Sequence, residues 1–270
     1  MRARFGAGFP AGLLLAVALM AATVAAGMTA AAATVPAAGR LAFSVFRNGD
    51  STMGWHRLDF HRDGDRLVVE KEIRFEVKVA FFTAYRYVHT NREVWQGDRL
   101  VALETSTDDD GRRHWVRGRA TPEGFAVESS RGALLAPADV VPTSYWNIRT
   151  VGTTRLLDTQ RGVLMDVRVE PLGAEPVAAA GSVVEARHFR LHFLSNRPGA
   201  TDFVDIWYDD ADAWVKLAFR AKGQDIVYRL DAPGALPQQP PAQPAVTRAA
   251  DTPQADTPRP GKFQAAAPSL

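Results

Sequence analysis

Between residues 67 and 79 apolar side chains keep one parity. Leu67, Val69, Ile73, Phe75, Val77 and Val79 alternate with Glu70, Glu72, Arg74, Glu76 and Lys78. A period of two over a dozen residues predicts a strand, one face on a core and the other toward water or a polar lumen. A helix over the same residues would smear charge around every face. Further strands are predicted at 41–46, 52–61, 82–95, 99–107, 113–120, 125–129, 163–170, 183–194, 203–208, 214–221 and 225–230. Turn sequences punctuate them: Asn48-Gly49-Asp50, Asp63-Gly64-Asp65, Gln96-Gly97-Asp98, Asp108-Asp109-Asp110-Gly111 and Pro122-Glu123-Gly124. Such short connections favour antiparallel meander pairing. Residues 66–96 hold two unusually long strands, and long strands joined by hairpins curve. The expected fold class is all-β: a curved antiparallel sheet forming a barrel or half-barrel, with a lid segment.

The lid is the stretch that breaks the rhythm. Residues 131–154 carry Gly132, Pro137, Pro142 and Gly152 around Leu134-Leu135 and Tyr145-Trp146. It is long for a loop and bulky, so it should pack over one opening of the sheet. A short helix starting at Ala138 or Thr143 is compatible with it.

Both ends read differently from the 34–231 domain. Residues 1–33 have the pattern of an export signal: Arg2 and Arg4, then the apolar run 13–20, then small residues suited to cleavage after Ala26 or Ala33. The apolar run is short for a membrane span of about 20 residues. The expected location is therefore periplasmic or secreted, and not integral to a membrane. Residues 232–270 contain nine of the 17 prolines, with Gln, Ala and Thr between them. Such composition buries too little apolar surface to offset ordering, so a disordered Pro-rich tail is expected.

Several short motifs resemble those of a family of exported bacterial domains of unknown function. They are Asn48-Gly49-x-x-x-Met53-Gly54, Pro142-Thr143-Ser144-Tyr145-Trp146, Leu157-Asp158-Thr159-Gln160-x-Gly162 and a closing Tyr228-x-Leu230. The resemblance spans roughly residues 40–231. The layout is also similar, in architecture alone, to half-barrel periplasmic lipoprotein carriers, in which a curved sheet cups acyl chains under a lid. The resemblance implies a fold and a compartment.

Composition narrows the chemistry. There is no Cys, so no disulfide and no thiolate metal site. Lys plus Arg is 32 against 30 Asp plus Glu, which argues against a dedicated nucleic-acid binder. His188 and His192 are four apart, but on a strand that spacing is about 13 Å, too far to share a metal. The acidic tips at 106–111 and 209–212 read as hairpin turns. Nucleophile-elbow and phosphate-loop motifs are absent, so no cofactor, metal or catalytic residue is expected. Aromatic residues are the remaining signal. Phe82, Tyr85, Tyr145, Trp146 and Trp55 are the candidate ligand-binding residues, with at least one lid ring facing the ligand. His56, Arg155 and Asp158 are the candidate polar site. The reading is a periplasmic non-enzymatic binding protein holding an apolar or lipid-like ligand. The alternatives are an envelope assembly or scaffold module with a filled core, which implies an envelope protein partner, and a barrel hydrolase or isomerase.

Overall fold

A computed structural model describes residues 35–79, 82–194, 202–221 and 223–235, with the side chains at 78, 79 and 82 outside the described set. The expected export signal and nearly all of the Pro-rich tail lie outside the described residues. Among the described residues fifteen strands form one sheet. They are β1 (Arg40–Arg47), β2 (Ser51–Asp63), β3 (Arg66–Val79), β4 (Phe82–Gln96), β5 (Arg99–Asp109), β6 (Arg112–Thr121), β7 (Gly124–Ser129), β8 (Gly132–Ala136), β9 (Val141–Pro142), β10 (Arg155–Leu157), β11 (Leu164–Ala179), β12 (Ser182–Phe193), β13 (Phe203–Asp209), β14 (Trp214–Ala221) and β15 (Gln224–Leu230).

The order in the sheet is β8 to β1, then β15 down to β9, so β1 and β15 join the two halves. Every pairing is antiparallel except β9 with β10. The sheet is curved and does not close, its outermost strands being β8 and β9, which are consecutive in the chain. Register shifts at Val45/Phe46, Val77/Lys78, Val94/Trp95 and Trp207/Tyr208 mark bulges, which bend and twist the strands that carry them.

The parity read from the sequence holds. Leu67, Val69, Ile73 and Phe75 are buried while Glu70 and Arg74 are exposed. The inner face forms one apolar cluster in which Phe43, Leu58, Ile73, Trp95, Trp214 and Tyr228 are almost fully buried. Outside, Arg57 pairs with Asp59 (3.0 Å) and Glu72 (3.3 Å), and Arg74 pairs with Glu72 (2.7 Å). Half-exposed pairs of this kind contribute at most about 1 kcal/mol each.

Strand β11 runs on to Ala179, past the predicted end at residue 170, despite Pro171 and Pro176. It pairs with β12 from Val167 to Ala179 but with β10 only at Leu164–Asp166. The rest of it is an edge, where proline removes no ladder bond, and the register shifts between Pro171 and Gly173.

Residues 131–154 also differ from expectation. Gly132–Ala136 is a strand, and neither Ala138 nor Thr143 starts a helix. A five-residue 3-10 turn over Ile148–Gly152 takes that place, with Asn147 Oδ1 accepting from Arg149 N at 3.0 Å. Thr143, Ser144, Tyr145, Trp146, Asn147 and Thr150 are all at most 2% exposed. The segment fills the interior of the curved sheet as a plug, more deeply than a covering lid.

Candidate functional site

In-register pairing turns alternate residues into rows across the inner wall. Phe43, His56, Ile73, His89 and Thr107 are successive cross-strand partners from β1 to β5. The next row is Leu58, Lys71, Asn91, Thr105 and Val116, and the one beyond is Phe60, Val69, Glu93 and Leu103. The polar members of these rows are buried with the apolar ones. The plug and the turn at 157–162 meet them with polar residues of their own, among them Ser144, Asp158, Thr159 and Gln160, each at most 1% exposed.

The turn Leu157-Asp158-Thr159-Gln160-x-Gly162 is built by its own side chains. Asp158 Oδ1 accepts from the backbone N–H groups of Gln160 (2.8 Å) and Arg161 (3.1 Å). Gly162, at φ 68°, donates its N–H to the Asp158 carbonyl at 2.8 Å. A Cβ there would sit 2.5 Å from Ser129 Cβ, so glycine is needed for both the conformation and the approach. The turn delivers Thr159 to the wall, where its carbonyl accepts from Thr105 Oγ1 at 2.8 Å.

Glu93 is saturated. Its Oε1 accepts from Asn91 Nδ2 at 2.9 Å, and its Oε2 from the indoles of Trp95 (3.0 Å) and Trp146 (3.1 Å). Lys71 is not: its ammonium makes one long hydrogen bond, 3.4 Å to Thr159 Oγ1. Burial lowers its pKa to about 8, against the opposing pull of Glu93 and Asp158. A desolvated ammonium is disfavoured more than two nearby carboxylates can restore.

The inner wall and the plug carry buried polar groups that the protein leaves unpaired. Both ring nitrogens of His56 and the Nε2 of His89 have no protein partner, whereas His89 Nδ1 meets Thr107 Oγ1 at 2.8 Å. Burial, and then Lys71, push both imidazoles well below their ordinary pKa. The hydroxyls of Tyr87, Tyr145 and Tyr228 are buried and unpaired as well. All three are pushed up, first by burial. The next causes show that they share one region: Tyr228 is raised by Tyr87 and Tyr145, and both of those by Asp158. The rings interlock, with His56 centred 5.7 Å from Tyr228, and Phe75 5.5 Å from Tyr87 and 6.1 Å from Tyr228.

Tyr145 stands at φ 65°, a left-handed conformation that a bulky side chain rarely takes. It is held there by Tyr208, whose hydroxyl donates to the Tyr145 carbonyl at 2.6 Å. Strained residues of this kind concentrate where a side chain must be aimed.

The residues singled out from the sequence separate into groups. His56 and Asp158 both lie within electrostatic reach of Lys71, and Tyr145 within reach of Asp158. Tyr85 is buried but gives its hydroxyl to Asp109 at 2.9 Å. Trp146 packs edge-on against Phe60 (5.3 Å) and Trp95 (5.6 Å) with its indole N–H committed to Glu93, so it is a packing residue of the plug. Trp55 has the opposite parity to His56 and lies outside, between the guanidiniums of Arg57 and Arg74. Arg155 is exposed and pairs with Asp166 at 2.8 Å, so it does not reach His56 or Asp158. The Phe82 side chain is outside the described residues. His188 and His192 face separate carboxylates, Asp205 at 3.3 Å and Glu170 at 2.7 Å. A groove of about 630 Å³ lies against β2 to β6, lined by charged residues such as Arg57, Glu70, Arg92 and Glu104 and also by Lys71, Asn91 and Thr105 of the second row, with Trp115 at 43% exposure.

Lys71 and Glu93 were missed. The signal for Lys71 was present: it interrupts the apolar parity of β3, and it is one of only five lysines among 32 basic residues. Lysine in a chain that otherwise uses arginine supplies an amine able to lose its proton.

A family described as a domain of unknown function, DUF6134, matches residues 43–231. The chain belongs to this family. The match takes in the inner wall, the plug and the closing Tyr228. No curated protein matches the chain. Among solved structures, it is similar to a β-barrel-like protein of the domain of unknown function DUF1849 from Brucella abortus. Identity is 8%, coverage is 72% of this chain and 95% of that one, and the TM-score is 0.51. A likeness at that identity concerns the fold alone. Among the described residues no helix is long and apolar enough to cross a membrane.

Proposed function

We propose that this chain is an exported, non-enzymatic binding protein that holds a small, largely apolar or lipid-like ligand between the wall and the plug. The ligand presents a polar group to Tyr87, Tyr145, Tyr228 and His56, and its apolar part lies against rings such as Phe43, Phe75 and Trp214. One observation carries this reading: the concentration of unpaired buried polar atoms at that contact. Each unpaired buried group costs about 1–3 kcal/mol, and several together rival a total stability of about 5–15 kcal/mol. Folded proteins keep few such atoms, so a cluster of them needs a partner from outside the chain. The mixture of hydroxyls and imidazoles among aromatic rings supports this reading, since a few polar groups orient a mostly apolar molecule in ligand sites.

The test is native mass spectrometry, with organic extraction, on protein purified from the periplasm of its own host. A bound small molecule, released on unfolding, is the expected result. Protein of bare chain mass that also fails to bind a fluorescent fatty acid would leave a solid core and favour the scaffold reading. The same preparation checks export: its N-terminus should fall between residues 27 and 40, and Met1 there would remove the compartment.

A further inference from the structure

We propose that Lys71 is a nucleophilic amine that captures a carbonyl compound as a reversible imine inside the curved sheet. This rests on the binding reading above and names the chemistry of its ligand.

Placement comes first. Lys71 is 3% exposed in the middle of an inner row, with Leu58 on one side and Asn91 on the other. Its nitrogen has a single weak contact, so its donors and, once deprotonated, its lone pair are not consumed by the fold. Arginine, used at most other basic positions of the chain, cannot deprotonate and cannot attack. Desolvation beside apolar neighbours is a common way to activate a lysine toward carbonyl substrates. Moving the amine from 10.5 to about 8 raises its neutral fraction near neutral pH by roughly two orders of magnitude.

Charge selects the ligand. The interior groups acting on Lys71 include two carboxylates, Glu93 and Asp158, while both imidazoles are held neutral. A ligand bearing its own negative charge would add a third anion against one cation in a low-dielectric space. A neutral aldehyde or ketone avoids this. The amine adds to the carbonyl carbon, the carbinolamine loses its oxygen as water, and the product is a protonated imine. No oxidant or reductant is consumed, and the single positive charge stays opposite the two carboxylates. The proton that the ammonium gives up to expose its lone pair is the one that leaves with the carbonyl oxygen as water, so the step balances without a further acid.

The experiment is reductive trapping on the folded full-length protein. Hexanal with cyanoborohydride at about pH 7.5 fixes any imine as an alkyl-lysine, and peptide mapping reads each site. Lys216, which rests over the Trp207 ring at 4.1 Å, is the internal comparison. Labelling of Lys71 should exceed that of Lys216 by at least about tenfold in the folded protein, and the preference should vanish in urea. Label on Lys216 with none on Lys71, while both label in urea, would overturn the proposal. That result leaves the binding reading intact if extraction still yields a bound molecule. Failure of the binding reading instead shows as no extractable ligand whatever Lys71 does.

Discussion

The indole N–H of Trp146 donates to Glu93 Oε2 at 3.1 Å, a contact between residues 53 apart that fastens the plug to the wall. Trp95 donates to the same oxygen, and Asn91 to the other. Replacing Trp146 by Ala should therefore act on stability first. Truncating a buried aromatic costs about 3–5 kcal/mol, and the lost donor weakens a buried carboxylate further. Urea unfolding measures this. Stability within about 1 kcal/mol of the parent, together with lost ligand binding, would instead show a ring that faces ligand.

Tyr145 and Tyr208 should respond differently to loss of a hydroxyl. The Tyr208 hydroxyl holds the Tyr145 carbonyl at 2.6 Å, so Tyr208→Phe should cost about 1–2 kcal/mol. The Tyr145 hydroxyl has no protein partner, so Tyr145→Phe should leave stability of the ligand-free protein unchanged or raised. Thermal melts of the two variants, compared with and without bound ligand, separate aiming from packing. A Tyr145→Phe loss as large as that of Tyr208→Phe would place its hydroxyl in the fold's own bonding.

Stability should depend on pH in two opposite ways. The Lys71 amine titrates near 8 in the folded chain and near 10.5 when unfolded. Between these values the unfolded chain holds more protons, so stability rises with pH, by up to about 3 kcal/mol from this group alone. Above about pH 10 the buried tyrosines reverse the trend, since their folded pKa is raised and unfolding lets them ionise. On the acid side His56 and His89 are held neutral, so stability is lost as pH falls through about 6.5, where the unfolded imidazoles protonate. Urea midpoints should thus increase from about pH 5.5 to 7.5 to 9.5. Lys71→Met should flatten the upper step and leave the lower one. An unchanged upper step in that variant would mean that the ammonium is better solvated than its burial implies.

Gly54 marks a close approach that no other residue permits. A Cβ at this position would lie 1.9 Å from the Arg74 carbonyl oxygen on β3, and φ is 155°. Gly54→Ala should force β2 and β3 apart beside Phe75 and cost at least about 3 kcal/mol, while Gly49→Ala, with open space around it, should act only through its φ of 97°. Melting temperatures of the two variants test the ranking, and equal losses would refute it.

The alternation of apolar and charged residues determined the strands, the antiparallel meander and which parity of β3 is buried. Those are local properties: a period of two and a turn sequence can be read wherever they occur. The second half of β11 was hidden because proline rules are written for central strands, and only the sheet order shows that this stretch is an edge. The Glu93–Trp146 contact, the grouping of Tyr87, Tyr145 and Tyr228 and the isolation of Lys71 were decided by tertiary structure. Curvature and the plug bring together residues from β2, β3, β4, β15 and the 143–160 segment, and no spacing along the chain encodes that distance. His56 and Arg155 looked equivalent as polar candidates, yet strand parity and edge position bury one and expose the other. Pattern specifies which face a side chain takes. What it meets there depends on how far the sheet curls and what fills it.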